Sequence, residues 1–235
     1  MFEFIDTGEN TGEFNMAYDM ELTEKIKNSD KSFIRVYQWK PYAISLGYNQ
    51  ILSGIDEDLC KKAGVDIVRR PTGGRAVFHI EELTYSVVMK NENGSISSTY
   101  RFISEILLKS FSRYHPLLAE YISFEKAHIN MKEHYTKQQS FVCFSASALN
   151  EIKANGKKLV GSAQRRMGNI LLQHGSILLN NKHKEIVDFL KDERLKRTIR
   201  KILDENTISF EEILGKPVDL EKLKECIKTE FLSID

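Results

Sequence analysis

Helix-like and strand-like patterns follow each other in an irregular order along this chain of 235 residues. Residues 33–39 and 43–46 predict two strands joined through Pro41. Residues 83–89 alternate with a period of two, which indicates a third strand. A doubly wound sheet would require a helix after each strand. The order therefore favours an α/β (α+β) fold with a central mixed sheet flanked by helices.

The length fits one domain over residues 1–235, in which residues 182–235 form a mostly helical C-terminal part. No repeat, low-complexity segment or Pro/Gly/Ser linker divides the chain. Asn15 is the predicted cap of a first helix. Ser98 and Thr99 precede a later helix with an apolar face, and the polar residues 126–140 are expected to form a mobile loop.

Charge and composition exclude several classes of protein. The 34 Lys and Arg residues nearly balance 33 Asp and Glu residues, which argues against a nucleic-acid-binding tail and an acidic disordered chain. No apolar stretch approaches the roughly 18 residues of a membrane span, and the N-terminus lacks a secretory signal. The three cysteines have no Cys-x-x-Cys spacing, so we expect a reducing cytoplasm and no disulfide framework.

A glycine pair with basic neighbours lies between two predicted strands. Gly73 and Gly74 permit close approach of a ligand to the backbone, whose N–H groups can hold an anion or a polarised carbonyl. A bare Gly-Gly is more often an ordinary tight turn. The surrounding Arg70, Arg75 and His79 favour a binding loop, and the segment lacks the pattern of a Walker loop.

A second dense segment contains a candidate nucleophile. Asn155 and Gly156 between two extended runs predict a type I′ hairpin. Cys143 precedes this hairpin, whereas Cys60 and Cys226 lie in amphipathic helices where a buried hydrophobe is the expected role. A nucleophilic thiol needs its pKa lowered, commonly by a nearby cation. Lys157 or Lys158 on the returning strand is a candidate, and spacing alone does not choose between them.

Other charged and histidine residues carry weaker signals. Residues 191–201 contain six basic residues, which are typical of a solvated helix face or of a surface that steers an acidic partner. His174 follows a strand pattern, but no pair of histidines shows zinc spacing. We expect neither a metal nor a cofactor.

Taken in order, these motifs resemble the lipoate–protein ligase and octanoyltransferase superfamily. The match is carried by residues 15–19, 45–50, 69–79 and 82–86. Residues 143–144, 150–152, 156–164 and 173–178 resemble the LipM-type octanoyltransferases in particular.

The resemblance implies the cofactor-transferase fold and an acyltransferase. Such an enzyme moves an octanoyl group from octanoyl-acyl carrier protein to a lysine of a lipoyl domain, typically the glycine cleavage H protein. By position, Cys143 is the implied thioester nucleophile and Lys158 the lysine that lowers its pKa. Further residues are implied to contact the acyl group: Arg70, Gly73, Gly74, Arg75, His79, Gly161, Ser162 and Ala163. We expect Val77, Val87, Leu159 and Leu171 to supply part of a dry channel for the acyl chain.

Three alternatives remain at this point. An ATP-dependent lipoate–protein ligase shares the Gly-Gly loop and the lysine, but it needs no cysteine, and Arg75 stands where ligases usually have a third glycine. An octanoyl amidotransferase between lipoyl domains would use a similar thiol. A silent binding module for carrier proteins would not require both Cys143 and Lys158.

Overall fold

The computed structural model describes residues 1–91, 94–124 and 151–234. The strands are β1 (Phe2–Asn10), β2 (Ser32–Trp39), β3 (Ala43–Leu46), β4 (Asp66–Arg69), β5 (Val77–His79), β6 (Leu83–Lys90), β7 (Ile122–Phe124), β8 (Ile152–Ala154), β9 (Lys157–Lys158), β10 (Val160–Met167) and β11 (Ile170–Ile177). The α-helices are α1 (Gly12–Lys25), α2 (Glu57–Lys62), α3 (Ile96–Tyr114), α4 (Pro116–Tyr121), α5 (Glu193–Asn206), α6 (Phe210–Leu214) and α7 (Leu220–Leu232). Two 3₁₀ segments span Ile26–Asn28 and Lys182–Phe189.

The largest sheet has five strands in the order β1-β2-β6-β11-β10. Strand β1 pairs with β2 in parallel, whereas the remaining pairs are antiparallel. This confirms the predicted mixed sheet. The turn between β10 and β11 is tight, so these two strands form a long hairpin whose register joins Val160 to Ile177 and Met167 to Ile170.

Two three-stranded sheets are also present among the described residues. In the first, β3 lies between parallel β4 and antiparallel β5, and this sheet supplies the ends of the Gly-Gly segment. In the second, β7, β8 and β9 are antiparallel. Asn155 and Gly156 join β8 to β9 with φ angles of 51° and 75°. The predicted hairpin is therefore confirmed, because both residues of its turn adopt the left-handed region.

The main core lies between the five-stranded sheet and helices α3 and α7. Ile103, Leu107 and Phe111 of α3 are fully buried against it, and Ile227 and Phe231 of α7 close the same cluster. The opposite face of the sheet is covered by α1. A separate core joins β3 and β5 to the segment Lys182–Phe189 and to α5. The predicted helical character of residues after 182 is confirmed.

Two predicted helix starts are wrong. Asn15 does not cap α1; Thr11 does, with its hydroxyl accepting from the Phe14 N–H. The Asn15 side chain is instead buried and donates to the carbonyls of Asn10 and Gln38. Helix α3 begins before Ser98, because Ser95 accepts a hydrogen bond from the Ser98 N–H and so acts as the cap.

Within the described residues, none of the helices has both the length and the apolar character needed to cross a membrane. The predicted mobile loop at 126–140 lies outside the described residues.

Candidate active site

A cavity lies where the β10–β11 hairpin, the β3–β5 sheet and α1 meet. Its wall combines apolar side chains with a band of polar groups. The lining residues are Met16, Tyr37, Trp39, Ser45, Arg70, Val77, His79, Thr84, Gly161, Ser162, Ala163, His174, Gly175 and Ser176.

Five of the predicted site residues line this cavity, namely Arg70, His79, Gly161, Ser162 and Ala163. The expected channel wall is largely wrong. Val77 lines the cavity, but Val87, Leu159 and Leu171 are buried in the main core. Side chains alternate between the two faces of a strand, so the face of β11 that carries His174 and Ser176 is not the face that carries Leu171.

Arg70 shapes the Gly-Gly loop from the inside. Its guanidinium is buried and donates to the Gly73 carbonyl at 2.9 Å and to the Arg75 carbonyl at 2.7 Å. Gly74 has a φ of 93°, and a Cβ there would lie 2.7 Å from an Arg70 nitrogen. A glycine is therefore required by both the backbone angle and the space.

The outer face of this loop is open. Gly73 and Gly74 are exposed, whereas Arg75 is buried behind them. Gly47 fits under the loop, because a Cβ at that position would lie 2.0 Å from the Gly74 carbonyl oxygen. The loop thus rests directly on the backbone that follows β3, with its remaining surface turned outward.

His174 supports the loop from the side of the five-stranded sheet. Its Nε2 lies 2.6 Å from the Thr72 hydroxyl, and its Nδ1 lies 3.1 Å from Asp19 Oδ2. A carboxylate can only accept, so Nδ1 carries the proton and Nε2 accepts from Thr72. Burial lowers the pKa of His174 despite the opposing effect of Asp19, and the ring is therefore neutral at pH 7.

Asp19 is satisfied from every side. Its Oδ1 accepts from Arg35 at 2.9 Å and from the Ser86 hydroxyl at 2.8 Å, and its Oδ2 also accepts from the Tyr37 hydroxyl. Burial by itself would raise the pKa of Asp19, but the His174 hydrogen bond and the Arg35 charge lower it below its usual value. Asp19 is therefore ionised and fixes the orientation of His174.

His79 supports the loop from the other sheet. Its Nδ1 lies 2.7 Å from Glu82 Oε1, and its Nε2 lies 2.7 Å from the Ser45 hydroxyl, which in turn accepts from Arg70. Trp39 stacks on the imidazole with the ring centroids 3.9 Å apart. Two carboxylate–histidine pairs, Asp19–His174 and Glu82–His79, thus reach the same Gly-Gly loop by separate routes.

The two lysines of the hairpin lie in different environments. Lys158 is buried and its Nζ lies 2.5 Å from Oε1 of the buried Glu151. Lys157 is near the surface, where its Nζ donates to the Asp204 carbonyl at 3.1 Å. Among the described residues, Glu151 Oε2 has no hydrogen-bond partner. Lys158 and Glu151 therefore form a buried ion pair at the β8–β9 hairpin.

The predicted nucleophile, Cys143, lies outside the described residues. The other two cysteines are buried in helices α2 and α7, as expected. Burial raises the pKa of Cys60 to about 11, and it also raises the pKa of Cys226, so both thiols are poorly reactive at neutral pH.

Sequence reasoning assigned no role to three groups of this site: Asp19, Glu151 and the His174 ring. Each belongs to a motif quoted above, but their partners are distant in sequence. Across the residues that the structure describes, no cluster of three or more His, Cys, Asp or Glu side chains could hold a metal ion.

Comparison with known proteins identifies the family. The profile of the family described as lipoyl protein ligase A/B catalytic domain matches residues 11–232. Octanoyltransferase LipM of Clostridioides difficile is 36% identical over 225 residues, which are 92% of this chain and 80% of that protein. Octanoyltransferase LipM of Bacillus subtilis is 34% identical over 240 residues, which are 98% of this chain and 84% of that protein.

The fold also matches solved structures. A structure from a study of the bipartite lipoate protein ligase of Thermoplasma acidophilum and its E2 lipoyl domain aligns with a TM-score of 0.75 and 22% identity over 98% of this chain and 82% of that chain. This likeness confirms the fold class. The curated relatives confirm that the protein is an acyltransferase enzyme. The chain therefore belongs to the lipoyl protein ligase A/B catalytic domain family.

Proposed function

We propose that this protein transfers an octanoyl group from octanoyl-acyl carrier protein to a lysine of a lipoyl domain, such as the glycine cleavage H protein, in the assembly of lipoate. The observation that carries this proposal is the cavity behind the Gly-Gly loop. Met16, Trp39 and Val77 offer a dry surface to an alkyl chain, while Arg70 and the loop supply polar groups at one side. Similarity to the LipM octanoyltransferases over almost the whole chain supports the octanoyl group as the cargo.

In the first half of the proposed reaction, the Cys143 thiolate attacks the carbonyl carbon of the donor thioester. A new C–S bond forms, and the carrier's sulfur leaves as a thiolate that takes up a proton. One thioester replaces another, so the step is nearly isoenergetic and needs no nucleotide. Lys158 is the cation proposed to lower the pKa of Cys143.

In the second half, the neutral amine of the acceptor lysine attacks the acyl-cysteine carbonyl. The C–N bond forms, the bond to Cys143 breaks, and the amine proton passes to the departing thiolate or to solvent. An amide is more stable than a thioester, so this half drives the reaction forward. Both halves pass through an oxyanion, and each backbone N–H that holds it contributes about 3 kcal/mol. We assign this role to N–H groups of Gly73 and Gly74.

The buried network gives these groups their positions. The pairs Asp19–His174 and Glu82–His79 hold the loop through Thr72 and Arg70. Glu151 holds Lys158 in place at the hairpin. Gly161, Ser162 and Ala163 form the part of the wall that would lie along the acyl chain.

A transfer assay with alternative donors tests the proposal. Octanoyl-acyl carrier protein without nucleotide should octanoylate a lipoyl domain, and octanoic acid with ATP and Mg²⁺ should not. The opposite result would identify an ATP-dependent ligase. Transfer only from an octanoylated lipoyl domain to a second lipoyl domain would identify an amidotransferase.

A further inference from the structure

Three stretches of chain pack around the Gly-Gly loop: residues 43–55, 67–80 and 160–178. Together they contain five arginines, three in the second stretch and two in the third, but not one Asp or Glu. Arg70 and Arg75 are buried, so the positive charge that these stretches bring to the surface comes from the exposed Arg69 and Arg166 and the half-buried Arg165.

Two of these arginines lie in the outer rim of the loop. Arg165 donates to the Pro71 carbonyl at 2.9 Å, and its guanidinium lies over the Tyr48 ring at 4.5 Å from the centroid. Arg69 donates to the carbonyls of Gly47, Tyr48 and Gln50. These contacts are to neutral groups, so they position the guanidinium charges without neutralising them.

The same rim exposes apolar surface. Tyr48 is 51% exposed and Ile51 is 75% exposed. They follow directly on the segment that underlies Gly74. We call Tyr48, Ile51, Arg69 and Arg165, with the exposed Gly73 and Gly74, the rim surface. Preorganised Tyr and Arg side chains beside an open backbone are typical of binding hot spots.

The basic run in α5 differs from the rim surface. There, Lys196 pairs with Glu193 at 2.6 Å and Arg200 pairs with Asp188 at 2.9 Å, so much of the positive charge is compensated. Arg166, although adjacent to Arg165, extends to the β10–β11 turn and donates to the Gly168 and Asn91 carbonyls. Arg165 is therefore the better candidate for a partner contact.

We propose that the rim surface docks the acidic carrier protein that delivers the acyl thioester, with Arg165 and Tyr48 as its anchor. The inference rests on the proposed function, because an acyl carrier is the donor in that reaction. Carrier proteins are acidic, so their carboxylates complement a rim without acidic residues. Arg70 connects the rim to the cavity, because it lines the cavity and also donates to the Gly73 carbonyl. Docking at the rim would place the thioester next to the loop.

Comparison of a protein donor with a small donor tests this inference. Initial rates are measured with octanoyl-acyl carrier protein and with octanoyl-N-acetylcysteamine, a thioester that has no protein and no charge. Arg165→Glu should raise KM for the carrier about tenfold while leaving kcat/KM for the small donor within about twofold. Lys109→Glu, an equal charge change on the exposed side of α3, is the control and should change neither value.

Ile51 provides a second variant that makes little demand on the fold, because the side chain is exposed. Ile51→Asp should raise KM for the carrier, whereas Ile51→Lys should not, and neither should alter the rate with the small donor. In the parent protein, added salt should raise KM for the carrier alone.

If Arg165→Glu lowers the rate equally with both donors, the arginine acts within the site. If the KM for the carrier is unchanged in the Arg165 and Ile51 variants, the carrier does not dock on the rim surface. Either result overturns this inference while leaving octanoyl transfer intact. Failure of the parent protein to use either donor would instead refute the proposed function.

Discussion

Two buried ion pairs among the described residues, Arg35–Asp19 and Lys158–Glu151, are built differently. Arg35 and Asp19 are both fully buried, and every oxygen of Asp19 accepts hydrogen bonds. Lys158 and Glu151 are also buried, with a 2.5 Å contact, but Glu151 Oε2 has no partner among the described residues. Within the part of the chain that the structure describes, both oxygens of Asp19 accept hydrogen bonds, whereas one oxygen of Glu151 accepts none.

The two cations of these pairs, Arg35 and Lys158, also differ in their surroundings. The Arg35 guanidinium also donates to Thr7 and Asn15 and lies 3.8 Å from the Tyr37 ring centroid. All three guanidinium nitrogens donate hydrogen bonds, which is typical of a structural arginine. Lysine is a compact charge on a flexible side chain, and such a charge is suited to shifting the pKa of a neighbouring group. We infer that the Arg35–Asp19 pair serves the fold and the Lys158–Glu151 pair serves the reaction.

Loss of the Arg35–Asp19 pair should have the strongest effect of the changes considered. Asp19→Asn removes the counter-charge of the buried Arg35 and should lower the free energy of unfolding by about 3–5 kcal/mol, measured by urea denaturation. The matched control is Asp30→Asn at an exposed position, which should change stability by less than about 0.5 kcal/mol. A small loss in Asp19→Asn would contradict the structural role of this pair.

The second prediction concerns the Lys158–Glu151 pair. Lys158→Ala should raise the pKa of Cys143 by about a unit or more and slow octanoyl transfer by about a hundredfold, with partial rescue of the acylation step at higher pH. The measurement is the pH profile of Cys143 alkylation by iodoacetamide, with Cys60 and Cys226 replaced. Lys157→Ala is the control, because that side chain lies near the surface and donates to the Asp204 carbonyl. A larger pKa shift in Lys157→Ala than in Lys158→Ala would show that Lys158 is not the activating lysine.

Buried titratable groups should also make the stability of the protein depend on pH. The pKa of Asp19 and the pKa of His174 are both lowered in the folded protein. The unfolded chain therefore binds more protons as the pH falls, and stability should decline on acidification, beginning near the ordinary histidine pKa of about 6.5. His183 contributes in the same direction, because burial lowers its pKa to about 4.

Urea titrations at pH 7 and pH 5 measure this decline. His174→Gln and His183→Gln should each remove part of the difference, of the order of 1 kcal/mol. If the decline is equally steep in both variants, the histidines are not its source.

Local patterns predicted much of the fold. The period-two strands, the Asn155–Gly156 turn and the helices after residue 182 depend on neighbouring residues, and all are present. The error at Asn15 has a long-range cause, because the Gln38 carbonyl that this side chain reaches lies 23 residues away. The sequence alone does not supply such a partner.

The site was predicted only in part, again because its contacts join residues that are distant in sequence. Motif resemblance located Arg70, His79 and the residues 161–163 in the cavity wall. It did not predict that Asp19 would meet His174, since 155 residues separate them. The misplaced Val87, Leu159 and Leu171 show that strand periodicity defines two faces without telling which face borders the cavity.

Covalent transfer through Cys143 is tested most directly by the intact mass of the protein after incubation with octanoyl-acyl carrier protein in the absence of nucleotide. We expect a single octanoyl adduct that peptide mapping assigns to Cys143, that hydroxylamine removes and that disappears when a lipoyl domain is added. Cys143→Ala should form no adduct and transfer no octanoyl group. An octanoylated lipoyl domain formed at full rate by Cys143→Ala, or without any enzyme adduct, would contradict covalent transfer through this cysteine.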